Sequence, residues 1–219
     1  MTDVSRDFVP ALGKAGNIDR YDGVVALMTR EKRWRGELVR LVAPHAGETI
    51  VDIGCGTGTL AIALKAAAPD AIILGVDPDS AVLAIAKAKA RDAGATVQWF
   101  EAMGDALDTV EPLRGCDKIV SSLVLHQCPM EVKEAIVRQM WRLLKPQGEL
   151  FIADYGEQRT LLMRTLFRQV QMIDGFDLTE PNARGCVPKI LTAAGFCHVV
   201  EVQIIQTPTG SISLYRGQR

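Results

Sequence analysis

From about residue 45 onward, short apolar runs alternate with segments whose apolar residues recur at helical spacing. Residues 48–53 are a β-branched run that predicts a buried strand, and 58–68 predicts a helix stopped by Pro69. The same pair recurs: a strand at 71–76, then an alanine-rich helix at 79–93 closed by Gly94. A third strand is expected at 96–101 and a fourth at 118–123. A helix at 130–144, ended by Pro146 and Gly148, leads to a fifth strand at 149–153. Apolar strands separated by helices imply a parallel sheet covered on both faces. Right-handed crossovers favour an open, doubly wound α/β sheet of Rossmann-like type.

The pattern changes at both ends. Before residue 45, Val24, Leu27, Met28, Trp34, Leu38 and Leu41 have helical spacing, after a glycine-punctuated arm. After Tyr155, residues 159–173 predict an amphipathic helix carrying Leu161, Leu162, Leu166, Phe167, Val170 and Ile173 on one side. A glycine- and proline-rich stretch follows, then a short helix at 188–194. Residues 198–206 and 211–216 read as a hairpin around Thr207-Pro208-Thr209-Gly210, which adds an antiparallel strand to the sheet. The expected organisation is an arm and helix at 1–45 and a core at 46–219, within which 156–190 forms a helical cap.

Composition changes this picture little. The 219 residues suit one compact domain, and 48% hydrophobic with 23% charged residues is ordinary for a globular chain. The 25 basic and 26 acidic residues nearly cancel, so charge gives no reason to expect nucleic acid or an anionic membrane as partner. No signal core and no run of about 18 apolar residues occurs, which makes the cytoplasm the default location and a membrane span unexpected. Five scattered cysteines fit neither a disulfide framework nor a zinc site, so no metal is expected.

The candidate chemistry begins at Asp52-Ile53-Gly54-Cys55-Gly56-Thr57-Gly58, between a predicted strand and a predicted helix. Glycines there let the backbone turn sharply and approach a ligand closely. The third glycine comes one residue too early for a dinucleotide fingerprint, and no Gly-Lys-Ser/Thr follows. A ligand with adenosine but no phosphate fits better. Asp77, at the end of the second strand, is placed to accept from both ribose hydroxyls, or is a solvated strand-end acid. Asp105 is a candidate acceptor for an adenine amino group, with the Ala106 N–H offered to a ring nitrogen, although Gly104-Asp105 is also ordinary turn chemistry.

Five segments in order, Val51–Gly58, Gly75-Val76-Asp77, Gly104-Asp105-Ala106, Cys116–His126 and Leu143–Gly148, resemble the class I S-adenosylmethionine-dependent methyltransferases. The resemblance covers roughly residues 45–155 and implies a seven-stranded sheet with its last hairpin strand antiparallel. Within that class the chain is most similar to small-molecule enzymes of the ubiquinone/menaquinone-biosynthesis type. Arg20-Tyr21-Asp22 and the helix bearing Trp34 resemble their cofactor-covering arm. The implied cofactor is S-adenosylmethionine, contacted by Tyr21, Asp52, Gly54, Cys55, Gly56, Thr57, Asp77, Pro78, Asp105, Ala106 and Ser122. Three positions depart from the pattern: Cys55 replaces a small residue, Gln147 replaces the first glycine of Lys-Pro-Gly-Gly, and His126 stands where quinone enzymes tend to carry arginine.

Such a reaction is an in-line displacement in which the protein supplies alignment and desolvation. A general base is needed only if the nucleophile must lose a proton, and His126 is the candidate, with a structural or orienting role as the alternative. Tyr155 lines the acceptor pocket or packs in the core. The Asn/Asp-Pro-Pro-Tyr/Phe motif of amino-methylating enzymes is absent, as is a basic stripe interleaved with aromatics, which leaves a small, fairly apolar acceptor. The 159–173 segment either caps that acceptor or packs a homodimer. A nicotinamide-dependent oxidoreductase and a non-catalytic S-adenosylmethionine-binding protein are the rival expectations.

Overall fold

A computed structural model of the chain describes residues 30–219. The expected contact at Tyr21, the arm around it and the first part of the 23–42 helix lie outside those residues.

The elements follow the alternation in order. They are α1 (Glu31–Val42), β1 (Thr49–Ile53), α2 (Thr59–Ala67), β2 (Ile72–Asp77), α3 (Ser80–Asp92), β3 (Gln98–Glu101) and β4 (Cys116–Ser122). Then come α4 (Met130–Leu143), β5 (Leu144–Tyr155), α5 (Leu161–Asp174), α6 (Phe176–Ala183), α7 (Val187–Ala193), β6 (Cys197–Thr207) and β7 (Gly210–Gln218). One seven-stranded sheet has the order β3-β2-β1-β4-β5-β7-β6. β7 runs antiparallel to both β5 and β6, and the remaining pairs are parallel. The order reverses between β1 and β4, which opens a crevice at their carboxyl ends, where open α/β sheets bind ligands.

Local chemistry accounts for the helices. Trp34, Leu38 and Val42 recur every fourth residue and form the buried stripe of α1. Asp79 caps α3, its carboxylate accepting from the Ala81 and Val82 amides. Thr160 caps α5, its hydroxyl accepting from Met163 N at 3.1 Å. Two hydrophobic clusters lie on opposite faces of the sheet. One joins α4 and α7 to β1, β4 and β5; the other joins α1, α2 and α5 to the sheet's second face. No helix among the described residues is long and apolar enough to cross a membrane.

Three expectations need correction. The apolar side of 159–173 is only partly buried: Met163, Phe167 and Val170 face inward, whereas Leu161 and Ile173 are 87% and 73% exposed. The i, i+4, i+7 stripe that touches the sheet is one column of a helix with more apolar residues than one face holds. Second, the glycine- and proline-rich stretch contains α6. Gly175, at φ 95°, breaks the chain away from α5, and Pro181 forgoes only the bond to the exposed Asp177. Third, β5 begins at Leu144, five residues before the expected start, through a bulged pairing of Cys116 with Leu144. Gln147 adopts φ 66° there, a left-handed conformation that the replaced glycine would take without strain.

Candidate functional site

The loop from β1 to α2 is held in shape mostly by its own backbone. Gly54 N and Cys55 N donate to Val76 O at 2.8 and 3.0 Å, and Gly58 N donates to Cys55 O at 2.9 Å. All three glycines are left-handed, at φ 72°, 53° and 76°. Their surroundings differ. A Cβ on Gly54 would lie 2.2 Å from Val124 Cγ2, and one on Gly58 would lie 2.6 Å from the Trp99 ring. A Cβ on Gly56 meets no atom within 4 Å. Gly54 and Gly58 are therefore required by packing, while the middle of the loop faces the crevice.

Asp77 ties this loop to the end of β2. Its Oδ2 accepts from Gly56 N at 2.9 Å and its Oδ1 from Asp79 N at 3.0 Å, which leaves each oxygen a further lone pair. Burial pushes its pKa above the usual carboxylate value, and the two backbone bonds oppose that rise. Pro78, half-buried, follows at the strand end.

Asp52 is the most unusual group of the site. Placed on β1 between Gly75 and Val120, it is fully buried, with the Ala61 N–H of α2 and the charge of Arg35 on α1 acting on its carboxylate. Burial pushes its pKa up to about 7, with Arg35 of α1 opposing and Asp77 adding to the rise. A buried carboxylate is costly to ionise, and Arg35 offsets only part of that cost. The sequence shows Asp52 as part of a motif; its complete burial between α1, α2 and the sheet is visible only in three dimensions.

The other expected contacts divide. The Thr57 hydroxyl accepts from Lys89 Nζ at 3.1 Å, and Thr59 accepts from the same ammonium at 2.7 Å, so Lys89 of α3 braces the loop. The Cys55 thiol is buried against Gly75, donates to Gly56 O at 3.8 Å within the loop and stays neutral, burial pushing its pKa up. Ser122, half-buried, ends β4, and the residue after it, Leu123, has φ 56°. A leucine in that conformation is strained, and the strain turns Val124 onto Gly54. Asp105 lies on the loop after β3, its carbonyl accepting from Gln139 Nε2 at 3.4 Å. The Ala106 N–H is not available to a ring nitrogen in this conformation: it donates to Met103 O at 3.0 Å within a turn.

His126 and Tyr155 are brought together, but inside the protein. Their rings meet edge to face at 4.9 Å, with His126 6% and Tyr155 3% exposed. The Tyr155 hydroxyl pairs with Thr209 Oγ1 at 2.8 Å, and its ring packs on Phe167, which is a core arrangement. His126 Nδ1 lies 2.7 Å from Asp154 Oδ1 and Nε2 lies 3.4 Å from Asp174 Oδ2. Burial by itself lowers an imidazole pKa; the charge of Asp154 and the bonds to Asp154 and Asp174 outweigh it and push His126 up to about 9. Two carboxylates on its two nitrogens thus favour the protonated ring, which makes it a poor base at neutral pH. Asp154, Asp174 and the buried Lys133 were missed from the sequence. Only Asp154, closing the β5 run before Tyr155, carried any signal there.

A family model for methyltransferase domains matches residues 50–148, which spans the glycine loop, Asp77, Asp105 and Ser122. An uncharacterised methyltransferase of Bacillus licheniformis is 30% identical over 156 residues, covering 69% of this chain and 68% of its own. This chain belongs to the class I S-adenosylmethionine-dependent methyltransferases. The demethylmenaquinone methyltransferase of Thermus thermophilus is 33% identical over 138 residues, covering 62% of this chain and 61% of its own. The chain spans about three fifths of the length of the curated relatives it matches first. Among solved structures, magnesium protoporphyrin IX methyltransferase from Synechocystis PCC 6803, with bound S-adenosylhomocysteine, superposes with a TM-score of 0.67 at 19% identity. That superposition covers 94% of this chain and 89% of the other, and it shows the methyltransferase fold.

Proposed function

We propose that this methyltransferase transfers the methyl group of S-adenosylmethionine to a small, fairly apolar organic acceptor. The observation that carries the reading is the fully buried Asp52 carboxylate near the end of β1, leading into the left-handed glycine loop that is open at Gly56. It suits the ammonium of the cofactor's amino-acid end, and the free lone pairs of Asp77 suit the ribose hydroxyls. Asp105 serves the adenine side, while Ala106 contributes only if its turn opens. When bound, S-adenosylmethionine supplies a methyl group on an electrophilic sulfonium. The chain's own part is to hold that group in line, exclude water and place the acceptor.

The acceptor class rests on the demethylmenaquinone and ubiquinone/menaquinone relatives and on the cap at 156–190, which holds α5 and α6. The two carboxylates that favour protonated His126 fit an acceptor that reaches the site already nucleophilic, such as a phenolate or an electron-rich ring. Calorimetry with S-adenosylhomocysteine and NADH in parallel tests the cofactor. Incubation of S-adenosylmethionine with reduced naphthoquinones, simple phenols and thiols, following release of S-adenosylhomocysteine, tests the acceptor. Binding of NADH without S-adenosylhomocysteine would overturn the proposal.

A further inference from the structure

Beyond the glycine loop, the densest buried charge lies where β4 and β5 end beneath α5 and α6. Asp154 is 1% exposed and accepts at 2.7 Å from Leu125 N, from Tyr155 N and from the His126 ring. Asp174, the last residue of α5, faces the opposite ring nitrogen at 3.4 Å. Lys133 of α4, fully buried, donates to Cys128 O at 2.5 Å and to Leu178 O of α6 at 2.8 Å. The turn Leu125–Gln127 that carries His126 packs against α6 on one side. On the other side it continues into Val124, which touches Gly54.

We propose that Asp154, His126 and Asp174 form an ionic latch that pins the α5–α6 corner over the ends of β4 and β5, making His126 a positioning residue. The inference rests on the methyltransferase reading only for its purpose, which is to set the acceptor cap against the cofactor loop. Two carboxylates from different elements hold one imidazolium, so the ring bridges the sheet and the cap. The bond to Asp154 is short and buried, whereas the bond to Asp174 is long and half-exposed. The latch therefore opens on the Asp174 side. Lys133 holds α6 independently of His126, so the corner loosens without leaving the core.

The groups facing the ring are Asp154 and the Tyr155 phenol from β5 and Asp174 from α5. Lys133 from α4, flanked by the Cys128 and Cys186 thiols, also acts on Asp154, and α6 adds the Leu178 carbonyl. The stability that the imidazolium adds to the fold is full below the ordinary imidazole value of 6.5 and is lost as pH rises through about 9. In the folded protein the ring itself loses its charge, and the latch opens, around the upper end of that interval.

Asp174→Asn removes one end while keeping its shape, and Asp174→Glu restores a carboxylate. Amide hydrogen exchange at pH 7 should speed about tenfold across residues 170–183 in Asp174→Asn, with α1 to α3 unchanged, and should return towards wild type in Asp174→Glu. The His126 imidazole, titrated by NMR, should lose a proton at lower pH in Asp174→Asn than in wild type. S-adenosylhomocysteine affinity should stay within about twofold. Unchanged exchange, acceleration spread evenly over the molecule, or an unshifted imidazole titration would each overturn the latch. Loss of S-adenosylhomocysteine affinity confined to Asp174→Asn would place Asp174 in the cofactor site and overturn it also. Failure of the wild-type protein to bind S-adenosylhomocysteine would instead strike the methyltransferase reading and leave the exchange result to judge the latch.

Discussion

Asp52 offers the most direct test of the cofactor site, because its burial ties stability and binding to the same proton. Its pKa rises from the ordinary 3.8 to about 7 in the folded chain. At about 1.4 kcal/mol per tenfold change in proton affinity, ionised Asp52 is about 4 kcal/mol harder to hold in the fold than in the unfolded chain. For an acid whose pKa is raised by folding, the contribution to stability is full below pH 3.8 and lost as pH climbs to about 7. Binding has the opposite sign. A cofactor ammonium set against the carboxylate favours its ionised form, so affinity should rise with pH through 7 and binding should release a proton. At pH 6 only about a tenth of the carboxylate is ionised, so S-adenosylhomocysteine should bind about tenfold more weakly there than at pH 8. Calorimetry in buffers of different ionisation enthalpy measures both quantities. Asp52→Asn should remove the pH dependence and the proton release, weaken binding, and be more stable than wild type at pH 8. Affinity that is flat between pH 6 and 8, with no proton released, would show that Asp52 does not meet the cofactor's cation.

Asp77→Ala strands the Gly56 and Asp79 amides, each worth about 1–3 kcal/mol. It should lower both the urea midpoint and S-adenosylhomocysteine affinity, the latter by at least about a hundredfold; affinity within threefold of wild type would rule out the ribose role. Gly54→Ala should lose about 2–4 kcal/mol of stability from the clash with Val124 and the left-handed backbone. Adding Val124→Ala should recover part of that loss in chemical denaturation, and no recovery would mean the clash is not the cause. Lys133→Met leaves the Cys128 and Leu178 carbonyls unbonded and removes a buried cation beside Asp154. It should cost about 2–4 kcal/mol in urea unfolding, and a neutral result would show that both carbonyls find other donors.

Periodicity and punctuation made most of the fold readable. Strand runs and helix spacings placed β1 to β4 and α2 to α4 to within a few residues, since each is specified by local pattern and a nearby glycine, proline or cap. The helix α6 was hidden because its glycine and proline read locally as breakers, and only packing on the Leu125–Gln127 turn sustains it. The early start of β5 was hidden for a similar reason: its first residues pair through a bulge with β4, a partner distant in sequence.

The glycine loop and the acids at 52, 77 and 105 were legible because backbone conformation and strand-end position are local properties that spacing reports. Their states were not. That Asp52 is fully buried facing Arg35, that Asp77 closes the loop, and that Ala106 spends its N–H in a turn depend on which atoms surround them. His126 shows the division most sharply. In sequence it reads as a candidate base; the fold sets Asp154 and Asp174 on its two nitrogens, which favour its protonated form. Charge state is decided by neighbours brought together from β4, β5 and α5, and that meeting exists only in the tertiary structure.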